Sequence, residues 1–296
     1  MLVDEVAVVI PYYNNSRDIF ECLDSIDNQD FSGKLNVYII DDCSDDSAAL
    51  IEIINNYKFK KIRVNYFRCS TCGGGGNARN IGIEQVSEKY IALMDADDKW
   101  ISNKISHQIK SYCERTILTS AVLKGSDLYK AVCLPKYCKS VDEKISDSLF
   151  IHNRLIQTST FFMSSDIAKK IKFNPSLPRH QDYDFLLRAE AAGYPIIQDE
   201  QPLSFWRVED ASTNRFIKKK ATPEFFINWF GEYRKYMTAD AAIAYVSKNI
   251  FSACMITKKY SLFNDFYFSD AFSILERCKI IVGIVSWRMK KIRDDK

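Results

Sequence analysis

Short β-branched runs alternate with stretches of helical spacing through the first third of the chain. Val6 to Ile10 is one such run, closed by Pro11, and Asn36 to Ile40 is a second, closed by Asp41 and Asp42. Between them, Ile19, Phe20, Leu23 and Ile26 recur on one helical face within Ser16 to Asn28. Ser44 to Ser47 supplies N-cap candidates for a helix through Leu50, Ile51, Ile53 and Ile54, and a strand follows near Ile62 to Phe67. After a glycine run at Gly73 to Gly76, the pattern predicts a helix over about Asn77 to Val86 and a fourth strand at Tyr90 to Met94. This β-α-β-α-β-α-β order implies a largely parallel sheet covered by helices, with ligands bound beyond the carboxyl ends of the strands. From about residue 116 to 155 the pattern loosens and predicts no element. It returns as a strand at Ile156 to Met163, a short helix after Ser165, a helix over about Asp182 to Ala192, and strands near Ile196 and Phe205. From Thr222 onward the chain is helical in tendency, with aromatic stripes and a basic end.

Composition narrows the class. The 296 residues suffice to bury a large core without disulfides, and 13% aromatic content with only 10 Gly and 7 Pro excludes disordered and collagen-like chains. Lys and Arg number 41 against 38 Asp and Glu, a net of +3, which is far from the basic excess of a nucleic-acid binder. The N-terminal MLVDEVAVVI lacks a basic n-region, and the apolar stretch Ile280 to Trp287 is far short of the roughly 20 residues that span a bilayer. The expectation is a cytoplasmic protein whose nine cysteines stay mostly reduced. Cys69-x-x-Cys72 with Cys133 and Cys138 invites a zinc reading, but the two pairs lie far apart with unlike spacings, and small buried or loop cysteines account for them.

Four clusters can carry chemistry. Asp41-Asp42 ends the second strand, where carboxylates can accept hydrogen bonds from a base N–H or ribose hydroxyls, or can simply serve the start of the next helix. Asp95-Ala96-Asp97-Asp98 follows the fourth strand. Carboxylates at i and i+2 leaving a strand can converge on a hard divalent cation such as Mg²⁺ or Mn²⁺, whereas the plain alternative is a solvated turn that caps a helix near Lys104. The glycine run lacks the Gly-Lys-Ser/Thr of a P-loop, yet Gly73, Gly75 and Ala78 fit the relaxed dinucleotide fingerprint, with Asp95 at a suitable distance beyond. Asp182 and Asp184 open a later helix, where acids complement the dipole or one of them acts as a general base.

Taken in order, VVIPYYNN (8 to 15), YIIDDCSDD (38 to 46), GNARNIGI (76 to 83), YIALMDADDKW (90 to 100) and QDYDFLLRA (181 to 189) resemble the inverting family 2 glycosyltransferases of the GT-A fold, over roughly residues 5 to 215. The resemblance implies an α/β catalytic domain over 1–220, with a mostly parallel central sheet flanked by helices, a Rossmann-like donor-binding half over about 1–115, and an acceptor-binding half over about 116–220. A helical region over 221–296 would follow. It further implies a UDP-sugar donor, Mn²⁺ or Mg²⁺ as the metal, and transfer of a hexose or N-acetylhexosamine to a glycan hydroxyl with inversion. By that resemblance, Pro11 and Tyr13 line the nucleobase, Asp42 takes the base N3–H, and Arg79 reaches toward the nucleotide. Asp95, with Ala96 beside it, holds ribose or metal-bound water; Asp97 ligates the metal; Asp182 deprotonates the acceptor.

Two departures from the pattern stand out. Glu209 occupies the place where many relatives carry His after an aromatic-Arg pair, and the run Gly73 to Gly76 is richer in glycine than the family requires, which suggests a mobile loop at the donor site. Near the C-terminus, Ile281, Ile284, Val285 and Ile292 fall on one helical face and Lys290, Lys291 and Arg293 lie elsewhere. Such a helix can rest on an anionic membrane surface or pack on the protein. The former suits a lipid-linked acceptor of O-antigen, capsule or exopolysaccharide synthesis. Rival readings are a nicotinamide oxidoreductase using the glycine run, a phosphatase using Asp95-x-Asp97, and a nucleotide-sugar-binding protein without turnover.

Overall fold

A computed structural model describes residues 3–208 and 222–294. The chain divides into two compact units, one from Met1–Asp142 with Arg154–Ser212, the other from Glu143–Asn153 with Thr213–Lys296.

The first unit opens with β1 (Glu5–Tyr12), α1 (Ile19–Asp27), β2 (Lys34–Asp41), α2 (Ser47–Asn56), β3 (Ile62–Arg68), α3 (Gly74–Gln85) and β4 (Tyr90–Leu93). The short β5 (Lys99–Trp100) and α4 (Lys104–Ser111) follow, then β6 (Ile117–Gly125), β7 (Val132–Leu134), β8 (Phe162–Ser164), α5 (Ser165–Ile171), α6 (Gln181–Ala191) and β9 (Ile196–Arg207). The sheet runs β3-β2-β1-β4-β8-β6-β9-β5, with β7 paired to β6. Strands β3, β2, β1 and β4 are mutually parallel, and β8 joins β4 antiparallel. Strand order therefore reverses at β1, leaving a crevice beyond the carboxyl ends of β1 and β4.

The apolar periods are what set this layering. Val6, Val8 and Ile10 of β1 pack with Ile19, Leu23 and Ile26 of α1 in one buried cluster. On the other face α3 lies so close that a Cβ on Gly82 would meet Val9 Cγ1 at 2.6 Å and Ile40 Cγ1 at 3.0 Å. Glycine at that position is what lets the helix settle on the sheet.

Three sequence expectations need correction. The glycine run is not a mobile loop, because Gly74 to Gly76 form the first turn of α3. Ile156 to Met163 is mostly irregular with a 3-10 turn at Thr158–Thr160; only Phe162–Ser164 is strand, since Thr160 donates its hydroxyl back to Gln157 O within the turn and Ser159 turns its hydroxyl to Asp98. The two strands expected near Ile196 and Phe205 are one, β9, whose register with β6 shifts around Ala121, so that a single continuous strand spans both apolar runs. The stretch without a sequence pattern contains β6 and β7.

The second unit is helical: α7 (Pro223–Tyr233), α8 (Ala239–Tyr245), a π turn (Val246–Ile250), α9 (Phe251–Ile256), α10 (Tyr260–Tyr267) and α11 (Ile274–Asp294), joined by the segment Glu143–Asn153. Thr222 and Thr238 cap α7 and α8 through their hydroxyls, at 3.2 and 3.1 Å. The core is aromatic. Phe150 meets Tyr245 edge-on at 5.1 Å, Trp229 stacks on Tyr233 at 4.7 Å, and Phe230 stacks on Tyr245 at 5.9 Å. Along α11, Ile280 and Ile284 are buried while Ile281, Val282, Val285 and Met289 face outward. The face proposed from sequence is thus split: Ile284 belongs to the core because Ile280, one turn back, shares its stripe.

Candidate active site

The loops after β1, β2 and β4 and the N-termini of α3 and α6 bring most of the expected site residues together. Pro11 and the buried Tyr12 end β1, and Tyr13 projects beyond them with 58% of its surface exposed. Asn14 then turns the chain at φ +47° and ties it to the loop after β2: its N–H donates to Ser44 Oγ at 3.0 Å, and Asp45 N–H donates to its Oδ1 at 2.7 Å.

The two adjacent acids ending β2 have different duties. Asp41 is buried and accepts from Ser44 N–H at 2.8 Å, Tyr66 Oη at 2.7 Å and the Ser47 hydroxyl. Burial alone would raise its pKa, but the donors from Ser47, Ser44 and Tyr66 prevail and hold it low. Asp42 turns the other way, and its two oxygens accept the Gly73 and Gly74 N–H groups at 2.7 Å each. It satisfies donors at the start of α3 that this helix's own N-cap residue, a glycine, has no side chain to serve. This also counts against the dinucleotide reading, since the carboxylate occupies the place where a pyrophosphate would meet those N–H groups.

One turn further, Arg79 is buried at the centre of the arrangement. Its Nη2 pairs with Asp95, its Nη1 donates to Gln181 Oε1 at 2.9 Å, and its guanidinium lies 5.2 Å from the Phe173 ring centre. The glycines permit this convergence. A Cβ on Gly76 would meet Asn174 O at 3.2 Å and the Gln181 side chain at 3.4 Å, and one on Gly75 would meet Arg79 Nη1 at 3.2 Å.

The acidic turn after β4 sorts its members by burial. Asp98 is buried and accepts from Gln157 Nε2 at 2.6 Å and from the Ser159 hydroxyl; burial pushes its carboxyl well up, and the charges of Asp95 and Asp97 add to this. Ala96 is buried too, whereas the Asp95 side chain is 28% exposed and Asp97 stands in solvent. Ser159 also accepts from Asp95 N–H at 3.0 Å, so one hydroxyl fixes both ends of the turn. Asp98 is therefore a structural acid, while Asp95, paired with Arg79, and the exposed Asp97 lie on the outer side of the turn. Two carboxylates suit Mg²⁺ or Mn²⁺ when phosphate oxygens and waters complete the shell. Among the described residues no group of three or more His, Cys, Asp or Glu side chains is arranged to hold a metal ion, which leaves the zinc reading unsupported.

Asp182 sits in the first turn of α6, beyond His180, which turns the chain at φ +61°. Its partly buried carboxyl is pushed up to about 6, chiefly by burial. The negative charge of Asp95 raises it further, while Tyr183 N–H and Arg79 oppose. A helix N-terminus favours the carboxylate, so desolvation has won here.

Sequence reasoning passed over Gln181, Ser159 and Asp98 as partners within the site. Gln181 opens the segment QDYDFLLRA, but nothing in the sequence signals its bond to Arg79. Arg207 of the aromatic-Arg pair binds Asp18 at 2.7 Å and also Glu21, which Lys99 shares. Glu209 lies outside the described residues.

Parallel strands with a switch point at β1, an acidic turn after β4 and a second carboxylate at a facing helix define a GT-A sugar-nucleotide transferase architecture. Residues 7–168, more than half of the chain, match the family model described as glycosyl transferase family 2, and the chain belongs to that family. It is 32% identical to the amylovoran biosynthesis glycosyltransferase AmsB of Erwinia amylovora, over 67% of this chain and 68% of that protein. It is also 23% identical to the putative teichuronic acid biosynthesis glycosyltransferase TuaG of Bacillus subtilis, over 82% and 95%. Among solved structures, it is similar to mannosyltransferase PcManGT of Pyrobaculum calidifontis, in complex with GDP-Man and Mn²⁺, at a TM-score of 0.62 and 15% identity over 98% of this chain and 82% of that one. S. aureus TarS 1-349 in complex with UDP-GlcNAc gives 0.58 and 18%, over 94% and 79%. These structures share the GT-A fold with it, and the chain is a glycosyltransferase.

Proposed function

We propose that this enzyme moves a hexose or N-acetylhexosamine from a UDP-sugar to a hydroxyl of a lipid-linked glycan, with inversion and with Mn²⁺ or Mg²⁺, in the assembly of a bacterial surface polysaccharide such as O-antigen, capsule or exopolysaccharide. The observation that carries this reading is the chain Asp95–Arg79–Gln181, which ties the acidic turn to the helix bearing Asp182. The names of the relatives in amylovoran and teichuronic acid synthesis support the polymer class.

In this reading Pro11 and Tyr13 flank the base, and Asp42, whose oxygens keep further lone pairs, accepts its N3–H. Asp97 would hold the metal, with Asp95 on ribose or a metal-bound water, and the metal when bound offsets the charge of the leaving diphosphate. With its carboxyl near 6, Asp182 is mostly ionised at neutral pH yet basic enough to take the acceptor's proton. Attack on the face opposite the diphosphate then inverts the anomeric carbon.

None of the described helices is long and apolar enough to cross a membrane. The outward Ile281, Val282, Val285 and Met289 of α11, followed in sequence by Lys290, Lys291 and Arg293, support peripheral binding to an anionic leaflet on the cytoplasmic side.

The test is UDP release across a panel of UDP-hexoses and UDP-N-acetylhexosamines with lipid-linked glycan acceptors. The expected result is acceptor-dependent release that falls by about 10² or more in Asp182→Asn, the range for loss of a general base. Release unaffected by that substitution would move the base elsewhere, and UDP binding without release for any acceptor would favour a non-catalytic binding role.

A further inference from the structure

Three of the nine cysteines meet at the edge of the donor crevice. Cys43 follows Asp42 directly and adopts φ +62°, a left-handed conformation uncommon outside glycine and associated with functional sites. Its Sγ donates to Cys69 O at 3.2 Å, and the Cys72 thiol is close enough to help raise the pKa of the Cys43 thiol. Cys72 is exposed; Cys43 and Cys69 are partly so. The backbones of the two loops are already clamped beside these sulfurs, because Asp42, the neighbour of Cys43, accepts from Gly73, the neighbour of Cys72. Two cysteines 29 residues apart in sequence thus flank one hydrogen-bonded junction between the two loops.

We infer that Cys43 and Cys72 form a reversible disulfide that staples the loop after β2 to the start of α3 and closes the nucleobase end of the donor site. The exposed Cys72 is the entry point. Its thiolate attacks a low-molecular-weight disulfide such as oxidised glutathione, one S–S bond breaks, and a reduced thiol leaves while a mixed disulfide forms. The Cys43 thiolate then attacks the Cys72 sulfur, expelling the second thiol; the protein has lost two protons and two electrons, both taken up by the reagent. Only the thiolate attacks, and desolvation holds the Cys43 thiol above its usual range, so this second step accelerates as pH rises from 7 to 9. Cys69, three residues before Cys72, contributes a backbone acceptor to the arrangement.

The consequence for binding rests on the proposed donor site; formation of the bond does not. The full-length protein, reduced or treated with oxidised glutathione, is digested without reductant and its linked peptides are identified by mass spectrometry. In parallel, the same two samples are titrated with UDP and Mn²⁺ in thermal unfolding. A link between the Cys43 and Cys72 peptides, present in Cys69→Ser and absent in Cys43→Ser, together with a UDP shift that is lost on oxidation and restored by reductant, is the expected result. A Cys69–Cys72 link, or mixed disulfides that never resolve, would overturn the proposal. So would a Cys43–Cys72 link that leaves the UDP shift unchanged. A reduced protein with no UDP shift would instead count against the donor reading, while the peptide map still decides whether the bond forms.

Discussion

The two units of this enzyme differ most at the nucleotide-facing end of the sheet and along the last helix. In the sheet unit, polar groups go inside: Asp41, Asp42, Arg79 and Asp98 are buried, and each has found donors or a counter-charge. In the helical unit, the last helix keeps apolar groups outside: Ile274, Leu275, Val282 and Met289 are each well over half exposed, although the aromatic core around Trp229 and Tyr245 is closed. Buried polar groups must be satisfied to persist, so those of the first unit are fixed by the fold and place charge at defined points. An exposed apolar row has the opposite character: it contributes little to folding, and its role depends on what it meets outside the unit.

That contrast predicts where substitutions hurt. Gly82→Ala pushes a methyl group against Val9 and Ile40, both core side chains that cannot swing away, and is expected to cost about 1–3 kcal/mol in unfolding free energy, the range for overpacking. A loss below the error of denaturant melts would mean α3 is less tightly seated than described.

Next in size is a stability gain. Asp182 has a folded pKa raised to about 6 from 3.8, so the native state binds its proton more tightly than the unfolded chain does. Its contribution is therefore most favourable below about pH 4 and is lost as pH climbs through 6. Asp182→Asn should accordingly be more stable than wild type by about 1–2 kcal/mol at pH 7.5, since a tenfold change in proton affinity is worth ~1.4 kcal/mol and partial exposure screens some of it. The gain should shrink toward zero by pH 4. An equal gain at both pH values would show that the effect is not titration of this carboxyl.

The smallest expected effect separates the units most cleanly. Replacing the outward Ile281 and Val285 by Asp should change stability by no more than about 0.5 kcal/mol, as for other surface sites, yet abolish co-sedimentation with anionic phospholipid vesicles. Strong destabilisation would place those side chains in a packed interface instead.

Much of this was readable from sequence because periodicity reports burial. The β-branched runs of β1 and β2 and the helical spacing of α1 follow directly from which faces are covered, and the acidic clusters fall at strand ends as the alternation requires. What escaped were features that depend on partners distant in the chain. Gly74 to Gly76 looked like a loop because glycine disfavours helix, but Asp42, some thirty residues earlier, supplies the cap, and Gln181, a hundred residues later, needs the space. Asp98 is indistinguishable in sequence from Asp95 and Asp97; only Ser159 and Gln157 mark it as structural. On α11 the heptad-like spacing identified an apolar helix but not which of two adjacent apolar stripes faces inward, a choice made by the close approach of Gly283 to Ser247.

The central claim, a metal-assisted UDP site at the ends of β1, β2 and β4, is tested most directly by thermal unfolding with UDP, with and without Mn²⁺, in wild type and Asp97→Ala. A ligand at about a hundred times its Kd adds ~2.7 kcal/mol to stability, so a clear shift is within reach. The account predicts a UDP shift in wild type that grows with Mn²⁺, and a variant in which the Mn²⁺-dependent part is gone. No shift with UDP, a shift with GDP in its place, or a Mn²⁺-dependent UDP shift that survives Asp97→Ala would contradict it.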